Sequence, residues 1–307
     1  MPAEPLGMAD ATLGFDLGGT KLLAALLDGA GRIVAQQRIA TPDGAPARVI
    51  DAMATLAAEL AARAPAVVAR AAGIGFPGLV DVARGVARSS VILREWREVP
   101  LAAQLSQRLR LPVALDNDVH QAARAERAVR GAAERDFLFL TVGTGIGGAL
   151  VLRGELWPGA EGLAGEIGHL SVDRDGPECA CGRRGCIGVV ASGGAIERQL
   201  GLAKGGLAAA AAAGDPRVTA ALAEAAAALG GALASAINLL ALPLVVVGGG
   251  VVELDGRFVA AVEAALRRDA MAEIGAATRV ERARCGYEAG ALGAALHARG
   301  VARSASE

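Results

Sequence analysis

The segment His169-Leu-Ser-Val-Asp-Arg-Asp-Gly-Pro-Glu-Cys179-Ala-Cys181-Gly-Arg-Arg-Gly-Cys186 holds three of the four cysteines and one of the three histidines of the chain. One imidazole and three thiolates can surround a zinc ion tetrahedrally. Gly182 and Gly185 allow the chain to fold back tightly enough to bring these side chains together. The run Gly165-Glu166-Ile167-Gly168 places a carboxylate three residues before His169. The sequence therefore predicts a zinc loop that also orients an acidic group in a substrate pocket.

The alternative for three clustered cysteines is one disulfide and a free thiol. A chain of 307 residues with four cysteines is not rich in disulfides, and we expect no cleavable signal peptide before residue 12. Cys179 and Cys181 are also too close in sequence to pair comfortably with each other. Zinc is therefore the favoured interpretation. Cys285 stands apart from the cluster and is expected to be a small buried residue.

Composition excludes several classes of partner. The chain has 31 basic and 32 acidic residues and a net charge of −1, so no polybasic surface for nucleic acid or anionic lipid is expected. Aromatic residues make up 3% of the chain, which leaves few stacking platforms for single-stranded nucleic acid. The abundance of Ala, Gly, Leu and Val is typical of an α/β protein, which we expect to be cytoplasmic.

One uncharged run, from Ala225 to Val252, is long enough to suggest a membrane span. Asn238, Pro243 and the triplet Gly248-Gly249-Gly250 interrupt it. We therefore predict a helix over 221–242 that is amphipathic or buried, then a short buried strand over 244–247, and no membrane association.

The chain uses the same local pattern twice, namely a strand, a turn of glycine and threonine, and a second strand. The first copy is 12–15, Asp16-Leu-Gly-Gly-Thr-Lys21 and 22–27, and the second is 137–142, Gly143-Thr-Gly-Ile-Gly-Gly148 and 149–152. Glycine exposes backbone N–H groups, so two facing turns could grip a polyphosphate from both sides. The repeated pattern predicts two duplicated α/β domains that face a shared cleft.

Two nucleotide-binding motifs can be rejected. Gly143-x-Gly145-x-x-Gly148 matches the dinucleotide fingerprint, but that motif needs a helix to follow it. Ala149-Leu-Val-Leu152 and a turn follow instead. A Gly-x4-Gly-Lys-Ser/Thr loop does not occur in the chain.

Asp116-Asn117-Asp118 follows a strand predicted over 112–115 and precedes a helix predicted over 119–130. Ligands of α/β proteins bind at such strand ends. Asp118 could act as the general base that takes the proton of an attacking hydroxyl group during phosphoryl transfer. It could instead be a helix N-cap. The two phosphate-type turns favour the general base.

Asp16 directly follows a strand and faces the first glycine turn. Its carboxylate could hold Mg²⁺ through water beside a triphosphate, or it could bond its own backbone in the turn. Lys21 could supply charge to phosphate, or it could be a solvated strand residue.

Further motifs appear in order beside these turns. They are Gly75-Phe-Pro-Gly-Leu-Val-Asp81, Thr141-Val-Gly-Thr-Gly-Ile-Gly-Gly148, Gly165-Glu-Ile-Gly-His169, Cys179-x-Cys-Gly-x-x-Gly-Cys186 and Val247-Gly-Gly-Gly250. Together they resemble the ROK family of repressors and sugar kinases, within the actin-like ATPase superfamily. The resemblance covers about residues 12–296, and the Glu-Ile-Gly-His and cysteine motifs are its most specific part.

The resemblance implies an ATP-dependent kinase that phosphorylates a hexose or an N-acylated aminohexose, uses Mg²⁺, and carries a structural zinc ion. It implies two actin-like, ribonuclease H-like domains with a cleft between them. We expect an N-terminal domain over 1–118, with a C-terminal helix over 290–307 packing back on it. A larger domain over 119–289 carries the zinc loop. The resemblance also implies a homodimer whose other partners are the sugar and ATP.

The resemblance also assigns roles to residues. Asp118 is the general base, and the proposed sugar contacts are Gly78, Asn117, Asp118, Glu166 and His169. The zinc ligands are His169, Cys179, Cys181 and Cys186. The nucleotide-binding residues are Asp16, Gly18, Gly19, Thr20, Lys21, Thr144, Gly145, Gly248, Gly249 and Gly250.

Two positions depart from the family pattern. Gly188 stands where the family usually has a glutamate that binds sugar hydroxyl groups, and Val91-Ile-Leu-Arg94 replaces a more polar segment that lines the sugar pocket. These departures support an alternative hypothesis, a sugar-sensing protein that binds without catalysis. The family's repressors carry an additional helix-turn-helix, and we expect none here because about a dozen residues precede the first predicted strand.

Overall fold

The structure, a computed structural model, describes residues 10–43 and 45–304. It divides into two compact units. The first contains the described residues up to Arg130, the short segment Gly159–Leu163, and the chain from Cys285 onward. The second contains Gly131–Pro158 and Ala164–Arg284.

The first unit is built on a five-stranded sheet with the order β3-β2-β1-β4-β8. Its strands are β1 (Asp10–Leu17), β2 (Lys21–Asp28), β3 (Ile33–Ala40), β4 (Val68–Phe76) and β8 (Val113–Asn117). A small sheet beside it contains β5 (Leu79–Asp81), β6 (Val86–Ser89) and β7 (Arg97–Val99). The first three strands of the main sheet are antiparallel, whereas β4 and β8 run parallel to β1.

Helices cover both faces of this sheet. They are α1 (Pro46–Arg63), α2 (Leu101–Leu109), α3 (Asp118–Arg130) and α10 (Ala289–Ser304). Alternate residues of β2 explain the two faces, because Leu22, Ala24 and Leu26 join the core beneath α1, whereas Leu23, Ala25 and Leu27 pack against α10.

The boundary of this unit differs from the one expected at residue 118. α3 belongs to the first unit, because it packs along α10 and against β4 and β8. α10 also lies in the first unit. Residues 305–307 of the C-terminal helix expected over 290–307 lie outside the described residues.

The second unit has a five-stranded sheet with the order β11-β10-β9-β12-β13. Its strands are β9 (Phe137–Val142), β10 (Ile146–Leu152), β11 (Glu155–Trp157), β12 (Leu244–Gly248) and β13 (Arg279–Arg282). Its helices are α4 (Ile187–Val190), α5 (Gly193–Leu200), α6 (Leu207–Ala212), α7 (Pro216–Leu240), α8 (Phe258–Asp269) and α9 (Ala272–Ala277). This strand order repeats that of the first unit, with an antiparallel meander followed by parallel strands. The α/β class, the two predicted hairpins and the duplicated pattern are therefore confirmed.

α7 is the uncharged segment that resembled a membrane span. Within the described residues it is the one helix that is long and apolar enough to cross a membrane. Leu222, Leu229 and Leu233 are nevertheless buried in the core of the second unit, where α7 packs along α8. The prediction of a core helix is confirmed. The helix starts earlier than predicted, after Asp215, whose side chain accepts a hydrogen bond from the backbone of Arg217.

Candidate active site and metal centre

Asp118 lies where β8 ends and α3 begins, at the carboxyl end of a parallel strand. Asn117, the residue before it, caps the helix: its Oδ1 accepts hydrogen bonds from the backbone N–H groups of Val119 and His120, at 2.8 and 3.3 Å. Its Nδ2 donates to the carbonyl oxygen of Gly78 at 3.2 Å. The cap expected as an alternative role for Asp118 is therefore provided by Asn117, and one N–H bond of the Asn117 amide remains for a ligand.

The carboxyl group of Asp118 is partly buried and close to a second partly buried carboxyl group, that of Asp16 at the end of β1. Burial, together with the negative charge of Asp16, raises the pKa of Asp118 to about 7. Burial likewise raises the pKa of Asp16 to about 6. A base with a pKa near neutrality is well matched to proton transfer at physiological pH. Two adjacent carboxyl groups also favour a cation between or beside them.

The first glycine turn connects β1 to β2. The backbone N–H of Gly18 donates to the carbonyl oxygen of Lys21 at 2.9 Å, and the hydroxyl group of Thr41 donates to the Gly18 carbonyl at 2.7 Å. Gly19, Thr20 and Lys21 are exposed. The turn is thus held from one side and accessible from the other, as a phosphate-binding turn requires.

The second glycine turn connects β9 to β10. The Gly193 N–H at the start of α5 donates to the carbonyl oxygen of Gly143 at 2.7 Å, which fixes the turn to that helix. The glycine run after β12 lies beside it, because Val251 donates its N–H to the carbonyl oxygen of Val142 at 3.0 Å. Gly249 has a φ of +96°, which favours glycine. The structure therefore places Gly249 against Val142, the last residue of β9, directly before the turn that contains Thr144 and Gly145.

Four side chains form the predicted metal cluster in the second unit: His169, Cys179, Cys181 and Cys186. Their ligand atoms all lie within 4.8 Å of one another. Cys181 Sγ lies 3.6 Å from Cys186 Sγ, and Cys179 Sγ lies 3.5 Å from His169 Nδ1. In a tetrahedral zinc site with bonds of about 2.3 Å to sulfur and 2.0 Å to nitrogen, such atoms lie about 3.5–3.8 Å apart. The donor set and its spacing therefore fit zinc.

The loop that carries these ligands depends on the two glycines recognised in the sequence. Gly182 and Gly185 have φ values of +87° and +62°. A Cβ at Gly185 would also overlap with the carbonyl oxygen of Asp173. The loop is closed by hydrogen bonds from Cys179 N to Arg183 O and from Gly185 N to Pro177 O, both 2.8 Å long.

Glu166 precedes the short 3-10 helix Ile167–His169. Its Oε2 lies 3.8 Å from His169 Nε2, while the other ring nitrogen, Nδ1, points toward the thiols. A histidine that ligates a metal commonly directs its second nitrogen toward a carboxylate. The structure therefore places the carboxylate of Glu166 beside His169, one of the four candidate metal ligands.

Removal of the metal provides the first testable prediction. We expect purified protein to contain one zinc ion per chain, because the four ligand atoms are already gathered. Cys186→Ser, which replaces a buried ligand, should lower that ratio and the thermal midpoint, since metal binding contributes to folding. Cys285→Ser is the matched control, because Cys285 lies in the first unit. Metal analysis with calorimetry tests this, and an unchanged zinc content in Cys186→Ser would contradict it.

Comparison with known proteins identifies the family. The ROK family profile matches residues 12–301, which is most of the chain. The chain belongs to the ROK family. N-acetylmannosamine kinase of Escherichia coli O1:K1 / APEC is 36% identical over 300 residues, covering 94% of this chain and 98% of that ROK relative.

Solved structures of ROK proteins are similar in fold to this chain. The ROK hexokinase from Thermus thermophilus has a TM-score of 0.80 and 36% identity, covering 96% of this chain and 99% of the other. The ROK family glucokinase from Streptomyces griseus, in complex with glucose and AMPPNP, has a TM-score of 0.82 and 32% identity, covering 94% and 99%. The actin-like fold and the enzyme class, a sugar kinase, are therefore confirmed for this ROK chain.

The sequence did not predict one feature of this ROK protein, a hydrogen-bonded polar network that joins β8, α3 and α10 near Asp118. It contains Asp116, His120, Gln121, Arg124 and His297. The only signal in the sequence was the spacing of Asp116, His120 and Arg124, which are four residues apart. That spacing suits one face of a helix, but His297 lies far along the chain and had no local signal.

Proposed function

We propose that this protein transfers the γ-phosphoryl group of ATP to a hydroxyl group of a hexose or an N-acylated aminohexose, with Asp118 as general base. The observation that supports this most directly is the environment of Asp118. Its pKa is raised to about 7, and Asn117 carries the helix cap in its place. The full-length relative and the glucose-bound neighbour support a sugar as acceptor.

In the proposed reaction Asp118 accepts the proton of the sugar hydroxyl group as its oxygen attacks the γ-phosphorus. A new O–P bond forms, the bond between the γ-phosphorus and the bridging oxygen breaks, and ADP leaves with that electron pair. Asp118 then returns its proton to solvent. Asn117 and the backbone at Gly78 are proposed to orient the sugar, because the hydrogen bond between them fixes both. Positioning of this kind supplies much of the rate of phosphoryl transfer.

Two metals belong to the proposal. Asp16 would hold Mg²⁺, which would supply positive charge that offsets the charge of the transferring phosphoryl group. The raised pKa values of Asp16 and Asp118 fit such a position, because the two carboxyl groups together favour a cation. Zinc would have a structural role, holding His169 and thereby orienting Glu166, and both side chains are proposed to contact the sugar.

The nucleotide is proposed to bind at the two glycine turns and the glycine run. The first turn contributes Gly18, Gly19, Thr20 and Lys21, the second contributes Thr144 and Gly145, and Gly248, Gly249 and Gly250 face adenosine. The exposed backbone of the first turn supports this assignment. We further propose a homodimer, which light scattering can test.

A coupled assay that detects ADP release across a panel of sugars tests the function. We expect turnover with at least one hexose or N-acylated aminohexose, and no comparable ADP release without sugar. Sugar binding by calorimetry without any ADP release would instead support the non-catalytic sensor, which the full-length kinase relative does not favour. Absence of both binding and turnover over the whole panel would overturn the proposed acceptor class.

Gly188 leads to a prediction about affinity. Its position corresponds to a sugar-binding glutamate in the family, and one lost hydrogen bond to a charged group weakens binding by roughly 10- to 100-fold. A Cβ at Gly188 would lie 3.0 Å from the carbonyl oxygen of Gly168, so a side chain needs only a small shift. Gly188→Glu should lower the KM for a hexose by about tenfold.

Gly188→Ala measures the effect of the added Cβ alone, and Gly188→Gln measures that of an uncharged side chain. Initial-rate kinetics with the same hexose compare the three variants. An equal or higher KM in Gly188→Glu than in Gly188→Ala would show that this position does not contact the sugar.

A further inference from the structure

A cluster of ionic side chains surrounds Asp116, two residues before the proposed base Asp118. Asp116 at the end of β8 accepts from Nδ1 of His120 at 2.9 Å and from Nη1 of Arg124 at 2.6 Å. The side chains of Asp116 and His120 are each 3% exposed. Charges this well buried are weakly screened by solvent, so their geometry is strongly held.

Asp116 also accepts a hydrogen bond from the backbone of Asn117, the residue that precedes the proposed base. Its Oδ1 accepts the backbone N–H of Asn117 at 2.7 Å, so the carboxylate receives three hydrogen bonds. Burial acts to raise the pKa of Asp116, but the hydrogen bond from His120 and the charge of Arg124 outweigh it and lower the pKa to about 2. Asp116 is therefore a carboxylate at neutral pH. Because a carboxylate only accepts, Nδ1 of His120 carries a proton.

We propose that His120 is a positioning residue of the phosphoryl-transfer site: through Asp116 it fixes the peptide of Asn117 and thereby the direction of the Asp118 carboxylate. The inference rests on the proposed role of Asp118. His120 lies in the first turn of α3, and Asp116 lies at the end of β8. Their hydrogen bond joins the strand to the helix across the two residues that are proposed to contact the sugar.

Gln121 fixes the same helix, α3, through further hydrogen bonds. Nη1 of Arg124 donates to Gln121 Oε1 at 3.1 Å. Nε2 of Gln121 donates to the carbonyl oxygen of Ile74 in β4 at 3.0 Å and to Nδ1 of His297 in α10 at 3.1 Å. Burial lowers the pKa of His297 to about 4, so its ring is neutral at physiological pH. α3 is thus bound to β8, β4 and α10 within one turn of Asp118.

Two charged groups act on Asp118, namely Asp16 at the end of β1 and His120 in α3. Asp116 of β8 and Arg124 of α3 are paired with each other, and His297 of α10 is neutral. Burial and Asp16 raise the pKa of Asp118, and the charge of His120 acts in the opposite direction. His120 therefore has two effects. Its hydrogen bond positions Asp116, and its charge lowers the pKa of Asp118.

Two variants separate these effects. His120→Asn keeps an amide donor near the position of Nδ1 but removes the charge, so kcat on the pH plateau should stay within about threefold of wild type. The acidic limb of its kcat/KM profile should move to higher pH, because the base loses a nearby positive charge. His120→Leu removes the donor, and its plateau kcat should fall about tenfold or more, with a smaller change in the KM for ATP.

Glu126→Gln is the matched structural control. Glu126 forms a fully buried ion pair with Arg130 at the other end of α3, with a distance of 2.7 Å. Its replacement should lower the thermal midpoint without moving the pH profile. The proposal is overturned if His120→Asn shows the wild-type profile and His120→Leu the wild-type kcat, or if both variants change only in proportion to their lost stability. Full activity of Asp118→Asn would instead overturn the proposed function itself.

Discussion

Asp118→Asn should lower kcat by about 10²- to 10⁴-fold, the usual contribution of a general base. Asparagine has nearly the same shape as aspartate, and it can preserve the local packing, but it cannot accept the proton of the sugar hydroxyl group. The backbone N–H of Val119, which donates to Asp118 Oδ1 at 2.9 Å, can donate equally to an amide oxygen. The KM values for sugar and ATP should therefore change much less than kcat.

The same variant should be more stable than wild type in weakly alkaline solution. The pKa of Asp118 is raised from 3.8 to about 7 in the folded chain. A group whose pKa is higher in the folded state binds a proton more tightly there, so its ionisation destabilises the fold as pH rises from about 4 to above 7. Removal of that carboxylate should thus raise the thermal midpoint at pH 8 and have little effect near pH 4.

A lower kcat together with a higher thermal midpoint in Asp118→Asn would identify Asp118 as a catalytic carboxylate, because loss of a structural carboxylate lowers the stability. Rate measurements and thermal unfolding on one preparation test the combination. Asp51→Asn, an exposed position on α1, is the control that should change neither quantity. For wild type, kcat/KM should rise as pH increases through about 7, where Asp118 becomes ionised. Retention of more than a tenth of wild-type kcat in Asp118→Asn would contradict the general-base role.

The His/Cys cluster and both hairpins were predictable because their determinants are local. One histidine and three cysteines within one short segment form a cluster that could hold zinc, and glycine turns between apolar runs define the hairpins. Which residue caps α3 could not be decided from the sequence, since Asn117 and Asp118 are equally suited to that role. Only the structure shows that Asn117 accepts from the first turn of α3.

The buried network and the backbone contact between α10 and α3 could not be predicted, although packing of a C-terminal helix on the first unit was expected, because both depend on contacts distant in sequence. Gln121 meets His297 across 176 positions of the chain. The packing of α10 likewise depends on glycines that lack any turn or motif around them. Their role appears only when the backbone that they face is known.

Gly293→Ala should abolish or severely impair folding of the first unit. A Cβ at Gly293 in α10 would overlap with the carbonyl oxygen of Gln121 in α3 and lie 3.2 Å from the Ala125 nitrogen. Both obstacles are backbone atoms of a helix that is itself bound to β4 and β8, so no side chain can rotate away. Overpacking typically costs about 1–3 kcal/mol even when neighbours can move, and here the two helices must separate.

Gly300→Ala, in the same helix, makes the opposite prediction and serves as the control. A Cβ at Gly300 would meet nothing within 4 Å. Alanine also favours a helix interior over glycine by about 1 kcal/mol, so this variant should unfold at a slightly higher temperature than wild type. Both substitutions replace glycine with alanine within α10. A difference between their thermal midpoints therefore cannot come from helix propensity. If Gly293→Ala unfolds within a few degrees of Gly300→Ala, then α10 does not pack on α3 by direct backbone contact, and the geometry that holds Gln121 and Asp118 must be different.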